Sequence, residues 1–170
     1  MAQAGILGED DRVELIDGEI VEMTPIGARH AGCVKRLADL FFRTFRDSAV
    51  ISVQDPIRLD KRSEPQPDLA LLHQKQDFYA SRLPMPADVF LLVEVANSST
   101  DPDRKVKVPL YAQHDISEVW LADLEQETIT VFLDSAPDGY RTARVFRRGE
   151  SLAQSAFPDR PITISDIFPE

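Results

Sequence analysis

Val89, Phe90, Leu91, Leu92, Val93, Glu94 and Val95 form the most hydrophobic run in the chain, and a glutamate interrupts it. A continuous apolar run of this length is the pattern of a central strand buried on both faces. Layers must then cover it above and below. An ionised carboxylate inside such a layer costs several kcal/mol unless it is paired, coordinated or protonated. Glu94 therefore constrains the chemistry as well as the fold.

The segments around this run predict the covering layers. Val13 to Ile16 and Glu19 to Met23 flank Asp17-Gly18, a strong hairpin signal closed by Pro25 and Gly27. From Arg29 to about Asp47, Cys33, Val34, Leu37, Leu40, Phe41 and Phe45 recur at spacings of three and four, which is one face of a helix. Val50 to Val53, Pro56 to Leu59, Leu69 to Leu72 and Val119 to Ala122 read as strands, and Lys61 to Gln66 as a loop. Gln74 to Asp88, with Pro84 and Pro86, reads as an irregular excursion. Ser98 to Pro102 reads as a helix start, with Pro102 at the first helical position. That helix runs to about His114, with Pro109 inside it. Thr128 to Leu133 and Arg141 to Phe146 read as a second hairpin about Pro137-Asp138-Gly139, and Ile162 to Phe168 as a short docked end. This alternation predicts an α/β (α+β) protein: a mixed central sheet flanked by helices, with antiparallel hairpins at both ends.

At 170 residues the chain is expected to form one domain, spanning 1–170. Its 19 Lys and Arg stand against 29 Asp and Glu, a net charge of −10. That balance excludes nucleic-acid binding over a broad basic surface, so any phosphate chemistry must use a local cluster or a bound cation. The single Cys33 excludes an internal disulfide framework and argues against a thiolate zinc site. No run approaches the roughly 20 apolar residues of a membrane span. Met1 to Asp11 shows no signal-peptide pattern, so the expected location is the cytoplasm. No Gly-rich phosphate loop is present, and no organic cofactor is expected.

Asp68 opens the apolar strand Leu69 to Leu72, directly after Pro67. Were Asp68 and Glu94 to meet at one end of the sheet, the two carboxylates would repel unless a cation lay between them. Hard oxygen ligands suit Mg²⁺, which keeps several waters and takes one or two protein carboxylates. Asp103, Lys107 and Tyr111, spaced i, i+4, i+8, share one helix face. If that helix packs on the central strand, Lys107 reaches the same rim. Two carboxylates with a cation, and an ammonium, are what phosphodiester hydrolysis needs.

Blander readings stand beside these. Asp68 could simply begin a strand or a turn. Asp103 and Lys107 could be an exposed i, i+4 pair, and Glu14 a solvated residue beside a tight turn. His30 reads as a surface or capping residue, Cys33 and Trp120 as core, and Ser98 and Ser99 as helix-start hydroxyls rather than nucleophiles.

In their order, Arg12-Val-Glu-Leu-Ile-Asp-Gly-Glu19, Glu64-Pro-Gln-Pro-Asp-Leu-Ala70, Leu92-Val-Glu-Val-Ala-Asn-Ser-Ser99, Asp103 through Tyr111 and Glu118-Val-Trp-Leu-Ala-Asp123 resemble the PD-(D/E)XK restriction-endonuclease-like superfamily, and more closely its Uma-type family. The resemblance implies a restriction-endonuclease-like fold and a Mg²⁺-dependent DNA endonuclease acting by metal-activated water, with Mn²⁺ as a substitute. It implies Asp68, Glu94 and the main-chain carbonyl of Val95 as metal ligands. Lys107 would replace the lysine usually found two residues after the acid, a place held here by Ala96. Glu14 and Tyr111 would support the site, and a homodimer is implied. The alternative is a nuclease fold that has lost turnover and serves as a binding or assembly module. A third reading is a metal-dependent hydrolase of a small phosphate ester or nucleotide.

Overall fold

The structure, a computed structural model, describes residues 12–23, 26–97 and 102–168, with the main chain alone for 102–104. The predicted turn close at Pro25, the helix cap over Ser98 to Asp101 and the side chain of Asp103 lie outside the described residues. Six strands form one sheet, in the order β3 (Val50–Val53), β4 (Leu69–Leu72), β5 (Val89–Ala96), β6 (Glu118–Asp123), β7 (Thr128–Ala136) and β8 (Gly139–Arg147). Neighbouring strands are antiparallel except β5 and β6, which run parallel. A parallel pair needs a crossover, and the helix α2 (Pro102–Gln113) supplies it. The strands β1 (Val13–Ile16) and β2 (Glu19–Glu22) form a separate hairpin, with Asp17 and Gly18 at φ 50° and 87° in its turn.

β5 is buried on both faces along almost its whole length, as its continuous apolar run requires. The helix α1 (Ala28–Phe45) covers one face, burying Cys33, Val34, Leu37, Phe41 and Phe45. Leu69, Leu71, Leu91, Val93 and Val95 pack in that layer, joined by Ile164, Ile167 and Phe168 from the C-terminal segment. Phe41 meets Trp120 edge-to-face, with ring centroids 5.8 Å apart. Each such side chain contributes roughly 1.5–3 kcal/mol by burial. Burial also pushes the Cys33 thiol up to about 12, which leaves it an inert core group. α2 covers the other face with Val108, Leu110 and Tyr111, against Ala70, Leu72, Leu92 and Val119. The helix continues through Pro109.

One predicted strand is absent. Pro56 to Leu59 is irregular, tied to its surroundings by Ile57 N–H to the Pro65 carbonyl (2.9 Å), Arg58 N–H to the Pro84 carbonyl (2.9 Å) and Leu59 N–H to the Ser63 carbonyl (3.0 Å), with no ladder. Pro56 has no N–H to offer a ladder. The 74–88 excursion is a series of turns ending in the 3-10 helix Pro86–Asp88.

A second buried carboxylate serves the fold. Glu118 accepts hydrogen bonds from Trp120 Nε1 (2.6 Å), the Ser155 N–H (2.9 Å) and Gln154 Nε2 (3.2 Å), pinning the 154–155 loop to β6. Glu118→Leu strands these donors. It is expected to cost roughly 2–5 kcal/mol, read as a fall in the urea midpoint at unchanged m-value.

Candidate active site

The strand register builds this site. Val53 pairs with Leu69, and Leu69 with Val93. One step further along, Gln54, Asp68 and Glu94 fall in a single row across the sheet. The row lies where β4 begins, so its backbone groups are no longer all claimed by ladder bonds. The Val95 N–H turns to Asp68 Oδ2 instead, at 2.8 Å. In a strand the N–H and C=O of one residue point to the same side. The Val95 carbonyl is therefore directed to the Asp68 side as well.

Two other elements close over this row. From α2, the Tyr111 hydroxyl donates to Glu94 Oε1 at 2.5 Å. One turn earlier, Lys107 Nζ lies 2.7 Å from Glu14 Oε1, 3.6 Å from Glu94 Oε1 and 3.3 Å from the Gln66 carbonyl. The hairpin contributes Glu14, whose Oε1 also accepts the Gln66 N–H at 2.6 Å. Glu14 is only 5% exposed, so the alternative of a solvated residue beside the turn fails. Its strand is held over the rim by the Glu64 N–H bond to the Leu15 carbonyl, which turns Glu14 inward. Asp68, Glu94 and Lys107 are likewise buried. Of the side chains singled out from the sequence, Glu14, Asp68, Glu94, Lys107 and Tyr111 thus converge at one place.

Two residues were not anticipated as site members. His30, on the first turn of α1, places Nε2 3.1 Å from Asp68 Oδ2. A lone histidine carries no metal-ligand spacing, so nothing in the sequence distinguished it from a surface residue. Gln54 donates through Nε2 to Asp68 Oδ1 at 3.2 Å. It stands just past the end of β3, where no local pattern marks a functional residue.

The electrostatics are those of a buried anionic cluster. Burial, the charges of Asp68 and Glu14, and the opposing help of Lys107 and Tyr111 leave the Glu94 carboxyl pushed up to about 8. Burial alone would lower the His30 pKa. The Asp68 hydrogen bond and charge, the Val95 main chain and the Glu94 charge together hold it above its ordinary value. Burial and its carboxylate neighbours raise Tyr111 well above the usual phenol range, so it stays a donor. A raised pKa means that the folded protein binds a proton the unfolded chain has released. Without metal, stability should therefore fall as pH rises from the ordinary glutamate range to about 8, and level off above it. His30 acts in the same direction. Thermal melts in EDTA at pH 5.5, 7 and 8.5 would reveal this decline. A melting temperature rising across that range would contradict it.

Among the described residues no group of three or more His, Cys, Asp or Glu is arranged to hold a metal ion. The oxygen set at the rim is two carboxylates and a main-chain carbonyl. Three buried carboxylates, Glu14, Asp68 and Glu94, stand there against the ammonium of Lys107. A site where burial and neighbouring carboxylates push Glu94 up to about 8, and which is lined by hard oxygens, fits a divalent cation that keeps several waters.

A mixed sheet with two acids and a lysine at its rim is the arrangement that the sequence resemblance implies. The chain is similar in structure to a crystal structure described as "a putative nuclease belonging to DUF820", from Anabaena variabilis. The TM-score is 0.76 at 14% identity, over 98% of this chain and 94% of that one, a likeness of fold. The family model "Uma2: Putative restriction endonuclease" matches residues 2–165, and the chain belongs to that family. No curated protein matches it. No described helix is long and apolar enough to cross a membrane.

Proposed function

We propose that this protein is a Mg²⁺-dependent DNA endonuclease, with Mn²⁺ able to substitute. The observation that carries this reading is the row holding Asp68 and Glu94, with the Lys107 ammonium 3.6 Å from Glu94. Asp68, Glu94 and the Val95 carbonyl would hold the cation. When bound, that ion supplies charge that polarises a phosphodiester and acidifies the attacking water. Lys107 donates to the phosphoryl oxygen on which charge grows in the transition state. Glu14 and the Gln66 carbonyl aim Lys107, and Tyr111 fixes Glu94 Oε1. Burial of the cluster strengthens each of these interactions relative to water.

The family's description as a putative restriction endonuclease supports DNA as the substrate. The net charge of −10 weakens long-range attraction, so contacts must come from local cations. Arg29, Lys35, Arg36, Lys61, Arg62 and Lys105 are exposed and free of the buried cluster. The same reading places a single domain in the cytoplasm as a homodimer. The competing idea, a fold that has lost turnover, rests on Ala96 in the usual lysine position and on the net charge of −10. Lys107 brings an ammonium to the site from the next helix, which answers the first of these grounds and favours the endonuclease reading.

The test is nicking of supercoiled plasmid with Mg²⁺ or Mn²⁺. Wild type should give open circles, and EDTA or Glu94→Ala should abolish them. Cleavage retained by Glu94→Ala would remove these residues from the reaction. Cleavage of a generic phosphodiester reporter but not of plasmid would point to a small-ester hydrolase.

A further inference from the structure

Asp68 is gripped more tightly than a metal-ligand role alone requires. Its Oδ2 takes the Val95 N–H at 2.8 Å and His30 Nε2 at 3.1 Å, and its Oδ1 takes Gln54 Nε2 at 3.2 Å. An ionised carboxylate has about four acceptor positions. Both on Oδ2 are used, and one on Oδ1 is left.

The two side-chain partners are held in costly states. Gln54 adopts φ 55°, a left-handed conformation disfavoured for a residue with a Cβ by roughly 1–2 kcal/mol. Both its backbone and its side-chain nitrogen are tied to Asp68: the backbone N–H donates to the Asp68 carbonyl at 3.1 Å, and the side chain to Oδ1. His30 is largely buried, and its Nδ1 has no hydrogen-bond partner. A buried unpaired polar atom is a cost that core packing would not select. Both residues accept a penalty to reach the same carboxylate.

We infer that His30 and Gln54 are positioning residues, which lock the Asp68 carboxylate so that a divalent cation is taken through Oδ1 alone. This rests on the metal-site reading above. Outer partners of this kind orient a ligand and so raise the site's affinity for the ion.

The measurement is Mn²⁺ affinity of the full chain, by electron paramagnetic resonance of the free ion, beside thermal melts in EDTA. Wild type should bind, and Asp68→Asn should lose the site. His30→Leu and Gln54→Ala should each weaken binding about 10–100-fold, the size seen for outer-sphere partners. His30→Gln restores an amide nitrogen about as far from Cβ as Nε2, and should recover most of the affinity. Gln54→Gly separates positioning from folding. Glycine adopts this φ without strain. The variant should melt no lower than Gln54→Ala yet bind Mn²⁺ as weakly. Unchanged affinity in His30→Leu and Gln54→Gly, with Asp68→Asn still deficient, overturns the positioning role alone. Loss in only one of the two overturns the assignment of the other. No binding by wild type, or full binding by Asp68→Asn, overturns the metal site itself and this inference with it.

Discussion

Lys107→Met is expected to cut plasmid nicking at least about 100-fold and to cost roughly 3–5 kcal/mol of stability in the same protein. The first effect follows from its place beside Glu94, where its ammonium can donate to the scissile phosphate. The second follows from its pairing with Glu14 at 2.7 Å, with both side chains buried. Removing one partner of a buried pair leaves the other charge uncompensated, and Glu14 and Glu94 then face each other without a cation. The two effects should be separable. Adding Glu14→Gln to Lys107→Met removes the orphaned charge, and its amide oxygen can still accept the Gln66 N–H. Most of the stability should return while nicking stays absent. Recovery of nicking in the double variant would show that the ammonium is structural only.

Glu94→Gln should behave in the opposite way. Nicking should fall by about 10³-fold or more, since several kcal/mol of transition-state stabilisation depend on a cation held in place. Stability in EDTA at pH 8.5 should rise, by roughly 2–4 kcal/mol, because folding no longer keeps a carboxylate whose pKa is pushed up to about 8. At pH 5.5 the gain should shrink to roughly a third, as Glu94 is then protonated in the native state while the unfolded chain has already released most of that proton. Tyr111 keeps an acceptor in the glutamine oxygen. A variant that is less stable than wild type at pH 8.5 would mean that Glu94 is well compensated without metal. A site that destabilises the empty protein, and is relieved by an ion, is the signature of residues retained for function.

Much of this was legible in the chain, for physical reasons that differ by residue. The run at Val89–Ala96 had to be central because no half-exposed strand lacks polar alternation, and Glu94 announced itself as a charge in that run. Lys107 and Tyr111 were linked by helical spacing, and α2 does present both to the sheet. Whether Asp68 meets Glu94 is a question the residues raise and leave open, since the answer depends on the register of β4 against β5. Glu14 sits in a short hairpin whose turn was evident. What turns it inward is the Leu15–Glu64 contact, which joins residues far apart in sequence. His30 and Gln54 carried no sequence signal, because each acquires its role only through contact with Asp68. Pro56 to Leu59 alternates like a strand, yet its backbone bonds go to Pro65, Pro84 and Ser63 in loops and to no neighbouring strand.

The central claim is that Asp68 and Glu94 form one cation site, and Mn²⁺ diffraction from crystals of the intact chain tests it most directly. An anomalous peak bridging a carboxylate oxygen of each residue, at distances near the 2.0–2.1 Å expected for Mg²⁺ or slightly longer, is the predicted result. A peak elsewhere on the molecule, with these two carboxylates unchanged at saturating Mn²⁺, would contradict it.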